Sequence, residues 1–289
     1  MEAVREGVET KAASPAESGE AASPKAATIL KRRDPASRRE RVRAPLLFAA
    51  SIALAVLGWS LLSLANPELV PSIRQTFDRG VQLAQSGALA EDIIASVWRV
   101  LLGSVIGSAA GIAVGFLIGW YRLIHGLVDP WIQFLRMIPP LGLLPVVVVY
   151  LGIGESAKVS VIAFSVFLVV VIAVVEGVRS ASPVLVKAAR AMGATDRQLF
   201  QTVILQGSIP YLLVGLRLGL ASGWTTVVAA ELIAASAGLG YLVQISGTEF
   251  DLAAAYVSLL FIGMIGLAMD LGLRAVERRI TPWQERVRR

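Results

Sequence analysis

From residue 46 onward, long apolar runs alternate with short polar breaks. A bilayer-spanning helix takes ~20 mostly apolar residues, and six runs qualify: 46–65, 97–119, 134–152, 157–178, 211–235 and 253–275. The third is interrupted by Pro139, Pro140 and Pro145, which remove backbone donors and disfavour a continuous helix. The pattern therefore predicts an all-α integral membrane bundle of six spans. One stretch breaks the rhythm: "SPVLVKAARAMGATDRQLFQTVILQGSIP", Ser182 to Pro210, is polar and charged yet helical in pattern. Ser182 with Pro183 at the first helical position starts one short helix, and Gly193 stops it. Thr195, with Gln198 three residues later, is a capping-box pattern that starts a second. Leu199, Phe200, Val203 and Ile204 then share one face of that second helix, and Gly207 and Ser208 are expected to interrupt the chain before Pro210 opens the fifth span.

Two spans carry glycine at every fourth position. Gly103, Gly107, Gly111, Gly115 and Gly119 form one slowly drifting stripe, and Gly215, Gly219 and Gly223 form another. Such stripes let a second helix backbone come close enough for dispersion forces to hold the pair. The periodicity leaves open whether that second helix belongs to the same chain or to another subunit.

Charge adds orientation. The linkers after spans two and four hold Arg122, Arg179, Lys187, Arg190 and Arg197, and both tails are basic, whereas the linker after span five has Glu249 and Asp251 without Lys or Arg. The positive-inside rule then places both termini and the Ser182–Pro210 island in the cytoplasm, in agreement with an even number of spans. Residues 1–44 are Ala/Ser/Glu/Lys-rich and lack the apolar core of a signal peptide. They are expected to form a disordered, basic cytoplasmic tail whose cationic cluster faces lipid headgroups, not nucleic acid.

Several chemistries have no residues to carry them. The chain has no cysteine and one histidine, His125, expected in a cytoplasmic linker without a role. No metal site, catalytic residue or intramembrane enzyme is expected on that basis. No G-x-x-x-x-G-K-[ST] run occurs, so any ATP, with its Mg ion, would be held by another polypeptide. Ionisable residues inside spans are costly and call for a reason. Glu176 and Asp270 fall near predicted span ends and are read as structural. Arg136, Pro139, Pro140, Arg217 and Glu231 are candidates for lining a solute path. Arg217 and Glu231 are about 21 Å apart along one helix and cannot pair directly.

The segment "KAARAMGATDRQLFQTVILQ" resembles the cytoplasmic EAA loop of binding-protein-dependent ABC transporter permeases. Ala188, Ala189, Gly193, Val203 and Leu205 occupy matching positions, while Lys187 stands where that family often has Glu and Gln206 where it has Pro. "DPWIQFLRMIPPLGLLPVVVVYLGIGESAK", "GLRLGLASGWTTVVAAELIAASAGLGYLV" and "VERRITPW" are similar to the taurine, aliphatic sulfonate and nitrate branch, the last closest to taurine-type members.

The resemblance implies a type I importer permease over 45–285, with a coupling loop at 182–209 and a cytoplasmic end at 286–289. It implies that Lys187, Ala188, Ala189, Arg190, Gly193, Asp196, Arg197 and Phe200 form the coupling region toward a separate ATPase. It also implies two copies of this chain, two ATP-binding subunits and an extracytoplasmic solute-binding protein in a bacterial inner membrane. The solute expected is taurine or an alkanesulfonate, with nitrate next and a thiamine-precursor pyrimidine or other small organic solute as the alternative. An ion-coupled secondary transporter is the competing class, favoured only by the proline-broken third span.

Overall fold

A computed structural model of the chain describes residues 35–280, and side chains from residue 46 onward except that of Ala234. The N-terminal tail up to residue 34 and the last residues, including Thr281, Pro282 and Trp283, lie outside the described residues. Among the described residues every regular element is a helix, without strands. The chain divides after Gly58 into two units. The first contributes the opening turns of α1 (Pro35–Ala65), whose stretch Leu46–Ala65 is long and apolar enough to cross a membrane. Everything below concerns the second unit, from Trp59 onward.

That unit is built on three helices, α3 (Ala88–Trp120), α6 (Glu155–Arg179) and α9 (Leu205–Ala234). Helix α6 lies between the other two, parallel to α3 and antiparallel to α9. Its contact face is a row at period four: Ile162, Val166, Val170, Val174 and Val178, all buried. The α3 glycines lie against that row. A Cβ at Gly103 would come 2.6 Å from Ile162 Cγ2, at Gly111 2.9 Å from Val170 Cβ, and at Gly115 and Gly119 2.7 Å from Val174 and Val178 Cβ. At Gly107 it would meet the Ala163 carbonyl oxygen at 2.3 Å. The α9 glycines close on the same helix from the other side, Gly215 against Ala173, Gly219 against Val170 and Gly223 against Val166. Valine in a helix is held near one χ1 rotamer, so the row is a stiff ridge that receives two glycine grooves. Both stripes thus find their partner within this chain.

Three further helices flank this core. Helix α2 (Ile73–Gln85) starts at a Ser72/Gln75 capping box and is tied to the start of α11 (Leu252–Ile280) by Arg79 and Asp251 at 2.7 Å. Trp59 Nε1 donates to Pro71 O at 2.9 Å, and its ring lies 5.6 Å from that of Tyr256. Helix α10 (Leu239–Thr248) follows α9 after a four-residue break. Trp224 Nε1 on α9 donates to Ile262 O of α11 at 3.1 Å.

The third predicted span is displaced and broken. Helix α4 (Arg122–Leu135) begins almost directly after α3, and a 3₁₀ turn (Pro140–Leu143) leads into the short α5 (Leu144–Leu151), bent 89° from α4. The residue before a proline is driven out of the α region, and Pro139, before Pro140, has ψ 124°. With this pair taken as one span, the described residues hold six candidate membrane spans, otherwise five. His125 accordingly sits on α4 rather than in a linker, and accepts a hydrogen bond from Arg179.

Candidate functional site

The two ends of the α3–α6–α9 core differ in chemistry. At one end, α6 leads into the island. Helix α7 (Pro183–Ala191) starts with Pro183 in its first turn, although the Ser182 side chain makes no capping bond. It ends where Gly193 turns left-handed at φ 82°, letting Ala194 N bond back to Ala189 O at 3.0 Å. Helix α8 (Asp196–Leu199) begins with the full Thr195/Gln198 capping box, and Arg190 pairs with Asp196 across the turn.

The expected interruption at Gly207 and Ser208 is absent. The chain runs from α8 through one π-helical turn (Phe200–Ile204) directly into α9, passing Pro210 inside the helix. The wide turn absorbs the change of register. Buried Ser208 donates its hydroxyl back to Ile204 O at 2.7 Å, one turn earlier.

The island's side chains divide into two faces. Lys187, Ala188, Arg190, Gly193, Asp196 and Arg197 are exposed, with Val184, Leu185 and Met192 beside them. Ala189, which the resemblance assigns to the coupling region with them, is buried. Phe200 is turned inward: its ring meets Phe116 and Trp120 of α3 edge-to-face, at centroid distances of 5.5 and 5.3 Å. A cleft of about 380 Å³ opens beside these rings, between the last turns of α3 and Asp196 and Arg197.

At the opposite end lies a buried polar network built around the first turn of α10. The opening N–H groups of a helix have no partner within it, and here three are satisfied from other helices. Gly238 N donates to Asp92 Oδ1 at 2.7 Å, Leu239 N to Ser96 Oγ at 2.9 Å and Gly240 N to Glu231 Oε2 at 2.9 Å. The carboxylates also face the positive end of the α10 dipole. Gly238 has φ 130°, and a Cβ there would lie 2.4 Å from the Glu231 carboxyl carbon, so this approach requires glycine.

Arg99 locks the network. Its Nη1 donates to Glu231 Oε1 at 2.6 Å and to Ala237 O at 2.7 Å. Its other edge forks onto Glu155, Nε at 2.5 Å and Nη2 at 2.8 Å, and Lys158 Nζ reaches the same carboxylate at 2.8 Å. Glu231 is 0% exposed, and the Arg99 and Lys158 side chains are 5% and 4% exposed, whereas Glu155 is 59% exposed.

The other sequence candidates are dispersed. Arg136 is exposed at the end of α4, beside exposed Pro139 and half-buried Pro140. Arg217, half-buried, faces Asp270 at 3.7 Å and Glu277 at 3.5 Å on α11. Glu176 lines a second cleft, of about 540 Å³, with His125, Asp129 and Arg179. Glu231, expected beside a path, is sealed and hydrogen-bonded on all sides. Arg99 and Lys158 fall at the edges of predicted spans and Asp92 and Glu155 in the predicted linkers just outside them, where a charge is taken to reach water, so sequence reasoning missed all four. The available signal was depth: Arg99 and Glu231 fall toward the same predicted membrane face.

Comparisons with known proteins agree with this architecture. A probable ABC transporter permease protein of Brucella abortus is 49% identical over 236 residues, 82% of this chain and 94% of that protein. The taurine transport system permease protein TauC of Escherichia coli K12 is 36% identical over 264 residues, 87% and 96% of the two chains. A putative aliphatic sulfonates transport permease protein, SsuC, of the same organism is 34% identical over 226 residues, 78% and 84%. Among solved structures, a chain of the MetNI methionine ABC transporter in an inward-facing conformation superposes with TM-score 0.61 at 20% identity, covering 67% of this chain and 96% of that one. The family model for the binding-protein-dependent transport system inner membrane component matches residues 107–282. The chain is therefore a multi-pass inner-membrane permease and belongs to the binding-protein-dependent ABC transporter permease family.

Proposed function

We propose that this chain is the translocation subunit of an ATP-driven importer of small sulfonates, taurine foremost. Two copies would form the path between them, two ATP-binding subunits would dock on the islands, and an extracytoplasmic binding protein would deliver solute at the opposite end. Both termini and the island then lie in the cytoplasm, as the positive-inside distribution requires. The lipid bilayer covers the outward apolar faces.

The observation that carries this reading is the covalent and packed continuity of the island with the core. Helix α8 runs without a break into α9, and Phe200 is seated between Phe116 and Trp120 of α3. A displacement of the island by a docked ATPase is passed along α9 directly and to α3 through these rings. The exposed face, with Lys187, Ala188, Arg190, Gly193, Asp196 and Arg197 among apolar Val184, Leu185 and Met192, supplies the docking surface. Phe200 and Ala189 serve as its inward anchors.

Similarity to taurine and aliphatic sulfonate permeases supports the solute class. Affinity purification of the complete transporter tests the assembly: an ATPase subunit should co-purify with this chain and be lost on deletion of 182–199. A chain that transports without any ATPase overturns the reading. Uptake of a pyrimidine and not of taurine would move it to the alternative solute.

A further inference from the structure

We propose that Arg99 and Lys158 form an oxyanion-binding site on the solute-accepting end of the permease, occupied in this conformation by the carboxylate of Glu155 as a tethered stand-in. The inference rests on the proposed import of sulfonates and names where this chain would first hold one.

The two carboxylates on Arg99 are not equivalent. Glu231 is fully enclosed and held by Ser96, Arg99 and the Gly240 N–H, so it is a fixed part of the protein. Glu155 is 59% exposed, and its ties are to Arg99 and Lys158. Two buried cations thus present their remaining donors to one carboxylate that water can reach. Departure of Glu155 would take the carboxylate from buried Lys158 and the acceptor from the Nε/Nη2 edge of Arg99, and a buried charge stripped of its partner is costly, so it calls for a replacement.

The donor geometry states what fits. Arg99 Nε and Nη2 offer a planar fork at 2.5 and 2.8 Å, and Lys158 Nζ adds a third donor at 2.8 Å. Such a fork takes two oxygens of a carboxylate, a nitrate or a sulfonate. Arg99 Nη1 stays bound to Glu231 and Ala237 O throughout, which fixes the fork. Glu155 is the first residue of α6, after Gly154, so its side chain can swing aside without unwinding the helix.

The test uses the complete transporter in nanodiscs, with methanesulfonate as the probe and [¹⁴C]taurine uptake as the reference. A tethered competitor acts at an effective concentration in the millimolar range or above. Glu155→Gln should therefore bind methanesulfonate about tenfold or more tightly than the parent. Lys158→Met added to it should abolish the gain. The chain has no cysteine, so Glu155→Cys gives a second readout. A sulfonatoethyl methanethiosulfonate reagent should modify it faster than the trimethylammonium analogue, and methanesulfonate should protect. Taurine uptake by the parent without any of these anion effects overturns the site. The anion effects without sulfonate uptake leave the site standing and overturn the solute assignment.

Discussion

Arg99 of α3 and Glu231 of α9, 132 residues apart in sequence, meet at 2.6 Å in the buried end of the bundle. Through this pair Arg99 also reaches Glu155 on α6 and the carbonyl of Ala237 before α10. Four elements are joined by one guanidinium. Breaking a buried pair by removing one partner typically costs 3–5 kcal/mol, roughly, whereas removing both is far milder. Arg99→Ala should lower the thermal unfolding midpoint of the detergent-solubilised complex steeply. Arg99→Met with Glu231→Leu should recover much of the loss. Equal loss in both variants would show that the pair is not what holds this end.

The glycine grooves predict a contrast within one residue type. Gly107→Ala pushes a Cβ to 2.3 Å from the Ala163 carbonyl oxygen, and overpacking of this kind costs about 1–3 kcal/mol. Gly126→Ala and Gly263→Ala meet nothing within 4 Å and lie in helices, where alanine is favoured by about 1 kcal/mol. Thermal melts of the three variants should separate accordingly, with only Gly107→Ala destabilised.

Phe200 offers a way to separate ATP use from transport. Each edge-to-face pair contributes about 0.5–1.5 kcal/mol, so Phe200→Ala weakens the link to α3 without touching the exposed face of the island. ATPase subunits should still co-purify, while solute moved per ATP hydrolysed falls by up to about tenfold, one such increment of free energy. Loss of co-purification instead would assign Phe200 to the docking surface itself.

Lys187 is exposed on α7, at the position where the related motif often has Glu. If the partner ATPase meets it with a carboxylate, Lys187→Glu should reduce co-purification and ATPase coupling several-fold, with the loss growing at low salt, where exposed charges are least screened. Unchanged coupling would show that this contact is not electrostatic.

Much of the architecture was legible from local pattern. The apolar runs located five spans, the Thr195/Gln198 spacing marked the start of α8, and the four-residue glycine period marked the close-approach faces. What local pattern does not carry is the partner across space. Nothing in the glycine spacing points to Val166 and Val170, and shared depth alone, with no local pattern, links Glu231 to Arg99. The third span was misplaced because α4 carries polar Arg122, His125 and Asp129 among its apolar residues, which broke the hydropathy run. The helix through Gly207, Ser208 and Pro210 was missed for a related reason. These are breakers by propensity, but the neighbouring turns pack on α6, with Gly177 against Ser208 and Tyr211, and tertiary packing outweighs propensity.

The most direct measurement is transport itself. This chain, reconstituted in proteoliposomes with its ATPase subunit and solute-binding protein, should accumulate [¹⁴C]taurine only with ATP on the island side and binding protein on the other. Accumulation driven by an ion gradient without ATP would contradict the account.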